Sequence, residues 1–252
     1  MIDPYAGMSP AKVHRMKIEA ELHGKQEVSY QLAAQGANAY ELMLNQLAEH
    51  RRALKTIESM DKKAEQKALF LPTYRPYIEG VLAGNSGVQD DVLVTLLIWF
   101  LDTGDLVGAM PLIKYALTHS LTTPDHIERK LATLVAEEVG EAGIRALGGQ
   151  TLDVSMLQMV VDLTRDMDMQ DPARSKLFKA LGLTLFKVDD FEHALPALVE
   201  AARLSEKAGV KKQIDKCVSE LKKQRAAAGL ATAEPKPEDQ SAKDGPPDQS
   251  GS

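Results

Sequence analysis

The chain has 252 residues, 44% of them hydrophobic, which suffices for a sizeable buried core in one or two domains. Its single cysteine, Cys217, excludes an intrachain disulfide framework and a cysteine-type zinc site and fits a reducing cytoplasm. The net charge of −6 excludes a uniformly basic nucleic-acid coat, yet the charge is uneven, running +1, −8, +4 and −3 over residues 1–70, 71–170, 171–227 and 228–252.

The opening segment, MIDPYAGMSPAKVHRMKIEA, lacks the apolar run of a signal peptide, and no window approaches 18 consecutive apolar residues. We expect a soluble, non-exported protein with no membrane contact. Within residues 1–36, Ser9-Pro10 marks the start of a short helix, and Gly24 and Gly36 punctuate a loosely tied segment. Residues 37–70 contain neither Pro nor Gly and are rich in strong helix formers. One long helix is expected there. Its seam of Met43, Leu47, Leu54, Ile57 and Ala64, broken by His50 and Asp61, suits packing on another helix and suggests oligomerisation.

An acidic helical domain is expected over 71–170. It begins with Pro72 to Gly84, where Tyr74, Tyr77, Ile78, Val81 and Leu82 recur at helical spacing before a GNSG turn. Gln89-Asp90-Asp91 then opens a stretch that reads as a helical hairpin turning at Asp102-Thr103-Gly104-Asp105. Further helices are expected over Asp125–Leu147 and Leu152–Met167, divided by Gly148-Gly149.

Residues 171–227 hold a second hairpin, turning at Val188-Asp189-Asp190, and a basic helix. Aligned on their turns, the hairpins match Ala109 with Ala194, Ile113 with Leu198 and Ala116 with Ala201. These small and large positions, with Phe178, Leu181, Gly182 and Leu185, resemble a tetratricopeptide hairpin. Leu97 replaces the glycine in the first copy, and the proline of the motif is absent at Glu206. Any antiparallel helix pair also places Ala where backbones approach, so a true repeat and a generic hairpin both remain open. Either way the fold is all-α. Residues 228–252 are poor in large apolar groups and rich in Pro, Gly, Ser and charge, the composition of a disordered tail.

Motifs for phosphate-loop nucleotide hydrolysis, dinucleotide binding, zinc proteolysis and serine hydrolysis are absent. The six histidines are scattered, with none paired at i+4. A magnesium-dependent nuclease would draw on Asp90, Asp91, Asp102, Asp105, Glu137, Glu138 and Glu141. The four aspartates stand at helix starts or turns, where carboxylates cap backbone N–H groups, and the glutamates read as a solvated helix face. We therefore expect no metal or cofactor, with magnesium required only if the chain cuts DNA.

The basic features are clearer. From Ser205 to Arg225, Val210, Ile214, Cys217 and Leu221 line one helix face while Lys207, Lys211, Lys212, Lys216, Lys222, Lys223 and Arg225 occupy the others. Such a face neutralises phosphates without reading bases; an ordinary solvated face has the same pattern. A second set joins Lys12, His14, Arg15 and Lys17 to Arg51, Arg52 and Lys55, diluted by Glu19, Glu21 and Glu49. No clear helix-turn-helix is visible.

The stretch AYELM at Ala39–Met43, the run LPTYRPYIEGVLAGNSGVQDDVLVTLLIWFLDTGDLVGAMPLIKYAL and the later GVKK resemble the terminase small subunit of temperate tailed phages with cohesive DNA ends, over roughly residues 10–225. The resemblance implies a homo-oligomeric ring, in the cytoplasm of an infected bacterium, that recognises the double-stranded genome end site and presents it to a large ATPase subunit. The family is often labelled an endonuclease subunit. Its tails are basic, whereas residues 228–252 here are acidic, which shifts the expected DNA contact to the 205–225 helix. Three readings follow: a DNA-binding packaging adaptor, a metal-dependent nuclease and a tetratricopeptide-like protein-binding adaptor.

Overall fold

The computed structural model describes residues 39–149 and 152–227. The expected short helix before residue 37, the basic residues Arg15 and Lys17, and the tail after Ala227 lie outside the described residues. Among those described, all regular structure is helical. The chain runs through α1 (39–55), α2 (Met60–Phe70), a 3-10 turn (Leu71–Tyr74), α3 (Arg75–Gly84), α4 (Asp91–Asp102), α5 (Leu106–Thr118), α6 (Leu131–Ala146), α7 (Val154–Thr164), α8 (Asp171–Lys187), α9 (Phe191–Leu204), a second 3-10 turn (Glu206–Ala208) and α10 (Lys211–Ala227).

The single helix expected over 37–70 is two helices. Thr56–Ser59 breaks it: Ser59 takes an extended conformation and its hydroxyl accepts from the Lys62 N–H, starting α2 with Asp61 in its first turn. Leu47 and Leu54 of α1 are buried in the chain's own core, and Met43 and Ile57 are partly buried against it. Most of the seam expected to face a partner thus packs intramolecularly. The helices expected from Asp125 and Leu152 begin later, at Leu131 and Val154.

The α1–α4 junction is aromatic. His50 stacks on Phe70 with ring centroids 3.7 Å apart and hydrogen-bonds through Nδ1 to the Tyr74 hydroxyl at 2.8 Å. Tyr74, fully buried, meets Trp99 of α4 edge-on, and burial pushes its hydroxyl pKa up to about 12. Burial also lowers the His50 pKa, against a smaller upward pull from Glu49. A base whose folded pKa is lowered contributes stability above its unfolded pKa, about 6.5, and loses it as pH falls through the folded value. Proton NMR titration is expected to place His50 below 6.5, with the thermal midpoint dropping on acidification across that window.

Asp90 organises the next junction. Its side chain caps α4 by accepting from the Leu93 N–H at 2.8 Å, and it accepts from the Tyr77 hydroxyl of α3 at 2.6 Å. Burial raises the Asp90 pKa although these hydrogen bonds oppose the shift. Asp90→Ala removes the cap and leaves the Tyr77 hydroxyl without its acceptor, an expected loss of about 2–3 kcal/mol in chemical denaturation. Asp90→Asn keeps the cap through its one amide oxygen and reverses the other bond, its amide N–H donating to the Tyr77 hydroxyl oxygen, without a desolvated charge, and should cost much less.

The two hairpins turn alike. Asp105 and Asp190 are N-caps with φ, ψ of −79°, 75° and −81°, 71°; each donates its backbone N–H, over 3.0 Å, to the carbonyl five residues back, Phe100 or Leu185. Ala109, Ile113 and Ala116, like their counterparts Ala194, Leu198 and Ala201, are completely buried. The packing differs. A Cβ on Gly182 would lie 2.7 Å from the Leu198 side chain, so α8 and α9 are in close contact along their length, whereas Leu97 stands at this position in α4 and packing against α5 is less extensive. A shared turn in two hairpins of unlike closeness does not establish a tetratricopeptide array.

Helix α8 is central to the C-terminal half, touching α6, α7, α9 and α10. At its crossing with α6 the close approach is to backbone: a Cβ on Gly140 would meet the backbone of Lys176 and Leu177 at 2.9 Å.

Candidate nucleic-acid interface

The C-terminal basic residues are gathered on α10, which begins at Lys211 rather than Ser205. Lys207 belongs to the preceding 3-10 turn, separated from α10 by Gly209 in the left-handed region. Val210 and Cys217 are buried, and Ile214 and Leu221 are partly buried against the core, so the apolar face read from the sequence seats the helix against α9 and α8. Lys207, Lys211, Lys212, Lys216, Lys222, Lys223 and Arg225 are all exposed. At 3.6 residues per turn, Lys212, Lys216 and Lys223 fall on one flank and Lys211 and Lys222 beside it. Asp215 and Glu220 interrupt this surface.

Few of these charges are neutralised locally. Among the described residues, Lys223 alone of the seven forms an ion pair, with Glu220 at 2.9 Å. Lys216 lies over the Phe186 ring of α8, 5.0 Å from its centroid, which orients the stem while leaving the ammonium in solvent. This aromatic seat is 30 residues away in sequence and had no signal there.

The α1 set is less open. Arg51 is half-buried, while Arg52 and Lys55 are exposed. Arg51 and Lys55 are one helical turn apart and share a flank. Helix α1 is seated through His50 on Phe70 and Tyr74, a site distinct from the α8–α9 platform of α10.

The acidic residues singled out for metal chemistry are committed elsewhere. Asp90 and Asp105 cap α4 and α5, Asp91 accepts from Gln89 and Asp102 pairs with Lys67. Glu137 and Glu141 do not form a free solvated face: Lys176 of α8 bridges them, and Arg129 also binds Glu137. Burial pushes Glu137 up, but Lys176 and Arg129 outweigh it and hold its pKa below the usual range. Glu138, half-buried beside Glu141, Asp102 and Glu137, is raised by burial and then by those charges. Among the described residues no group of three or more His, Cys, Asp or Glu side chains is arranged to hold a metal ion, and no helix is long and apolar enough to cross a membrane.

A model of the phage small terminase subunit family matches residues 44–172. Over 215 residues, 85% of this chain and 86% of the other, the sequence is 40% identical to a protein of Escherichia phage P2 named terminase, endonuclease subunit. The chain belongs to the phage small terminase subunit family. A probable terminase endonuclease subunit of Haemophilus phage HP1 is 24% identical over 178 residues, covering 65% of this chain and 62% of that protein. No solved structure matches. The family match runs from α1 into the first turn of α8, so in this small terminase subunit the basic α10 lies beyond it.

Proposed function

We propose that this small terminase subunit serves phage DNA packaging as a DNA-binding adaptor: a homo-oligomer, acting in the cytoplasm of the infected host, that engages the double-stranded genome end site and hands it to the large subunit. The exposed, largely unpaired basic face of α10 carries this reading, with Arg51, Arg52 and Lys55 of α1 as a second contact surface. Lysines on a seated helix supply the counterion-releasing contacts that give affinity and orientation, while base preference requires further contacts or DNA shape.

A second reading follows from the names of both relatives, which call them endonuclease subunits: the chain itself cuts the end site with magnesium. Support from the residues is weaker, since the carboxylates available are engaged in caps and ion pairs. One assay separates the readings. The protein is titrated with duplexes carrying or lacking the end site at several salt concentrations, with magnesium present, and the products are resolved for strand cleavage. Site-preferring, salt-sensitive binding without cleavage is the expected result. Magnesium-dependent cleavage by the isolated chain would transfer the function to the nuclease reading, and salt-independent absence of binding would remove both.

A further inference from the structure

We propose that the acidic segment 228–252 folds back on the basic face of α10 and competes with DNA for it, an intramolecular contact that tunes affinity. The inference rests on the DNA-binding reading for its consequence, but the contact itself can be observed without DNA.

Charge is the first argument. Residues 228–252 carry Glu234, Glu238, Asp239, Asp244 and Asp248 against Lys236 and Lys243. They follow directly on a helix holding six basic and two acidic residues over Lys211–Ala227, whose cations are solvent-exposed and, apart from Lys223, without an ion pair among the described residues. The segment thus reverses sign at the end of the surface it complements.

Reach is the second. Helix α10 has 17 residues and is about 25 Å long at 1.5 Å per residue. A flexible chain of 25 residues, the number after Ala227, would span roughly 28 Å root-mean-square. An extended path from Glu234 to Asp244 covers about 33 Å, enough to lay carboxylates beside Lys222 and Lys223 at one end and Lys212 and Lys216 at the other. Tethering sets the local concentration of these carboxylates in the millimolar range, whereas the same peptide added in solution would bind weakly.

Composition is the third. Leu230 is the largest apolar residue of the segment, and Pro235, Pro237, Pro246 and Pro247 carry no backbone N–H to donate. The association therefore depends on charge and is readily displaced by a polyanion of higher charge density. The predicted behaviour is a salt-sensitive brake that suppresses weak nonspecific binding more than binding at a preferred site.

Three proteins test this: the full chain, the chain ending at Ala227, and the full chain with Glu234→Gln, Glu238→Gln, Asp239→Asn, Asp244→Asn and Asp248→Asn, which keeps the length and removes the acidity. Amide chemical shifts of Lys212, Lys216 and Lys223 are compared at low and high salt, and affinity for a 20-base-pair duplex of arbitrary sequence is measured in parallel. We expect the α10 shifts of the full chain to differ from those of both variants at ~50 mM salt and to converge near 0.3 M, with the variants binding the duplex about threefold to tenfold more tightly at low salt only. Unchanged α10 shifts would overturn the contact, and altered shifts with equal affinities would overturn the competition. If none of the three proteins binds any duplex, the DNA-binding reading fails, and the competition with it, while the shifts still report on the contact.

Discussion

Removing Lys212, Lys216 and Lys223 together, each as Lys→Ala, is expected to weaken duplex binding on the order of 10²-fold at ~0.1 M salt and to reduce the slope of log affinity against log salt by about 3. The three share one flank of α10 and are exposed, so each phosphate left unneutralised keeps the counterion that its lysine would have released. The fold should tolerate the change, since the seat of the helix is formed by Val210, Ile214, Cys217 and Leu221; taking Lys216 away from the Phe186 ring costs about 0.5–1 kcal/mol. Fluorescence anisotropy over a salt series, beside a circular dichroism melt, measures both. A well-folded variant with unaltered slope would remove α10 from the interface and leave Arg51, Arg52 and Lys55 as the surface to test.

Gly140→Ala is expected to be the most damaging conservative substitution in the C-terminal half, lowering stability by about 3 kcal/mol. The added methyl would meet backbone atoms of α8, Leu177 N and Lys176 C, at 2.9 Å. Backbone cannot rotate aside, so α6 and α8 must separate, with consequences for everything α8 holds. Gly182→Ala should do somewhat less harm, because its 2.7 Å contacts are with the Leu198 side chain and the nearest backbone atom, Leu198 N, is 3.1 Å away. Gly80→Ala is the internal control: nothing lies within 4 Å of its added Cβ, and within α3 the change should stabilise by up to ~1 kcal/mol. Denaturant midpoints of the three variants test the order. A Gly140→Ala midpoint matching the natural protein would show that α6 and α8 are not locked at this crossing.

Helical periodicity and turn chemistry made much of this architecture legible. The α4–α5 and α8–α9 hairpins turn where Asp102–Asp105 and Val188–Asp190 indicated, and the four apolar residues read from their spacing, Val210 just before α10 and Ile214, Cys217 and Leu221 within it, form its seat. The break at Thr56–Ser59 was less visible because it contains neither Pro nor Gly; its cue is a serine whose side chain competes for a backbone N–H, a weak signal inside strong helix-forming sequence. Glu137 and Glu141 read as solvated because their partner, Lys176, lies 39 and 35 residues away, beyond any local pattern. For the proposed binding surface, the basic residues themselves were legible, while Phe186 beneath Lys216 and the separate packing of α1 and α10 required the three-dimensional arrangement.

The aromatic junction between α1 and α4 also endows the protein with an intrinsic optical probe. Trp99 is the chain's one tryptophan; it is 4% exposed and borders Phe70 and Tyr74, the residues that hold His50 of α1. Its emission therefore reports on how α1 is seated, whereas α10 rests on a different platform. A duplex gripping α10 alone would leave the spectrum nearly unchanged, while one that also pulls on Arg51, Arg52 and Lys55 would shift it. Unlabelled protein in a fluorimeter can thus distinguish one-patch from two-patch engagement.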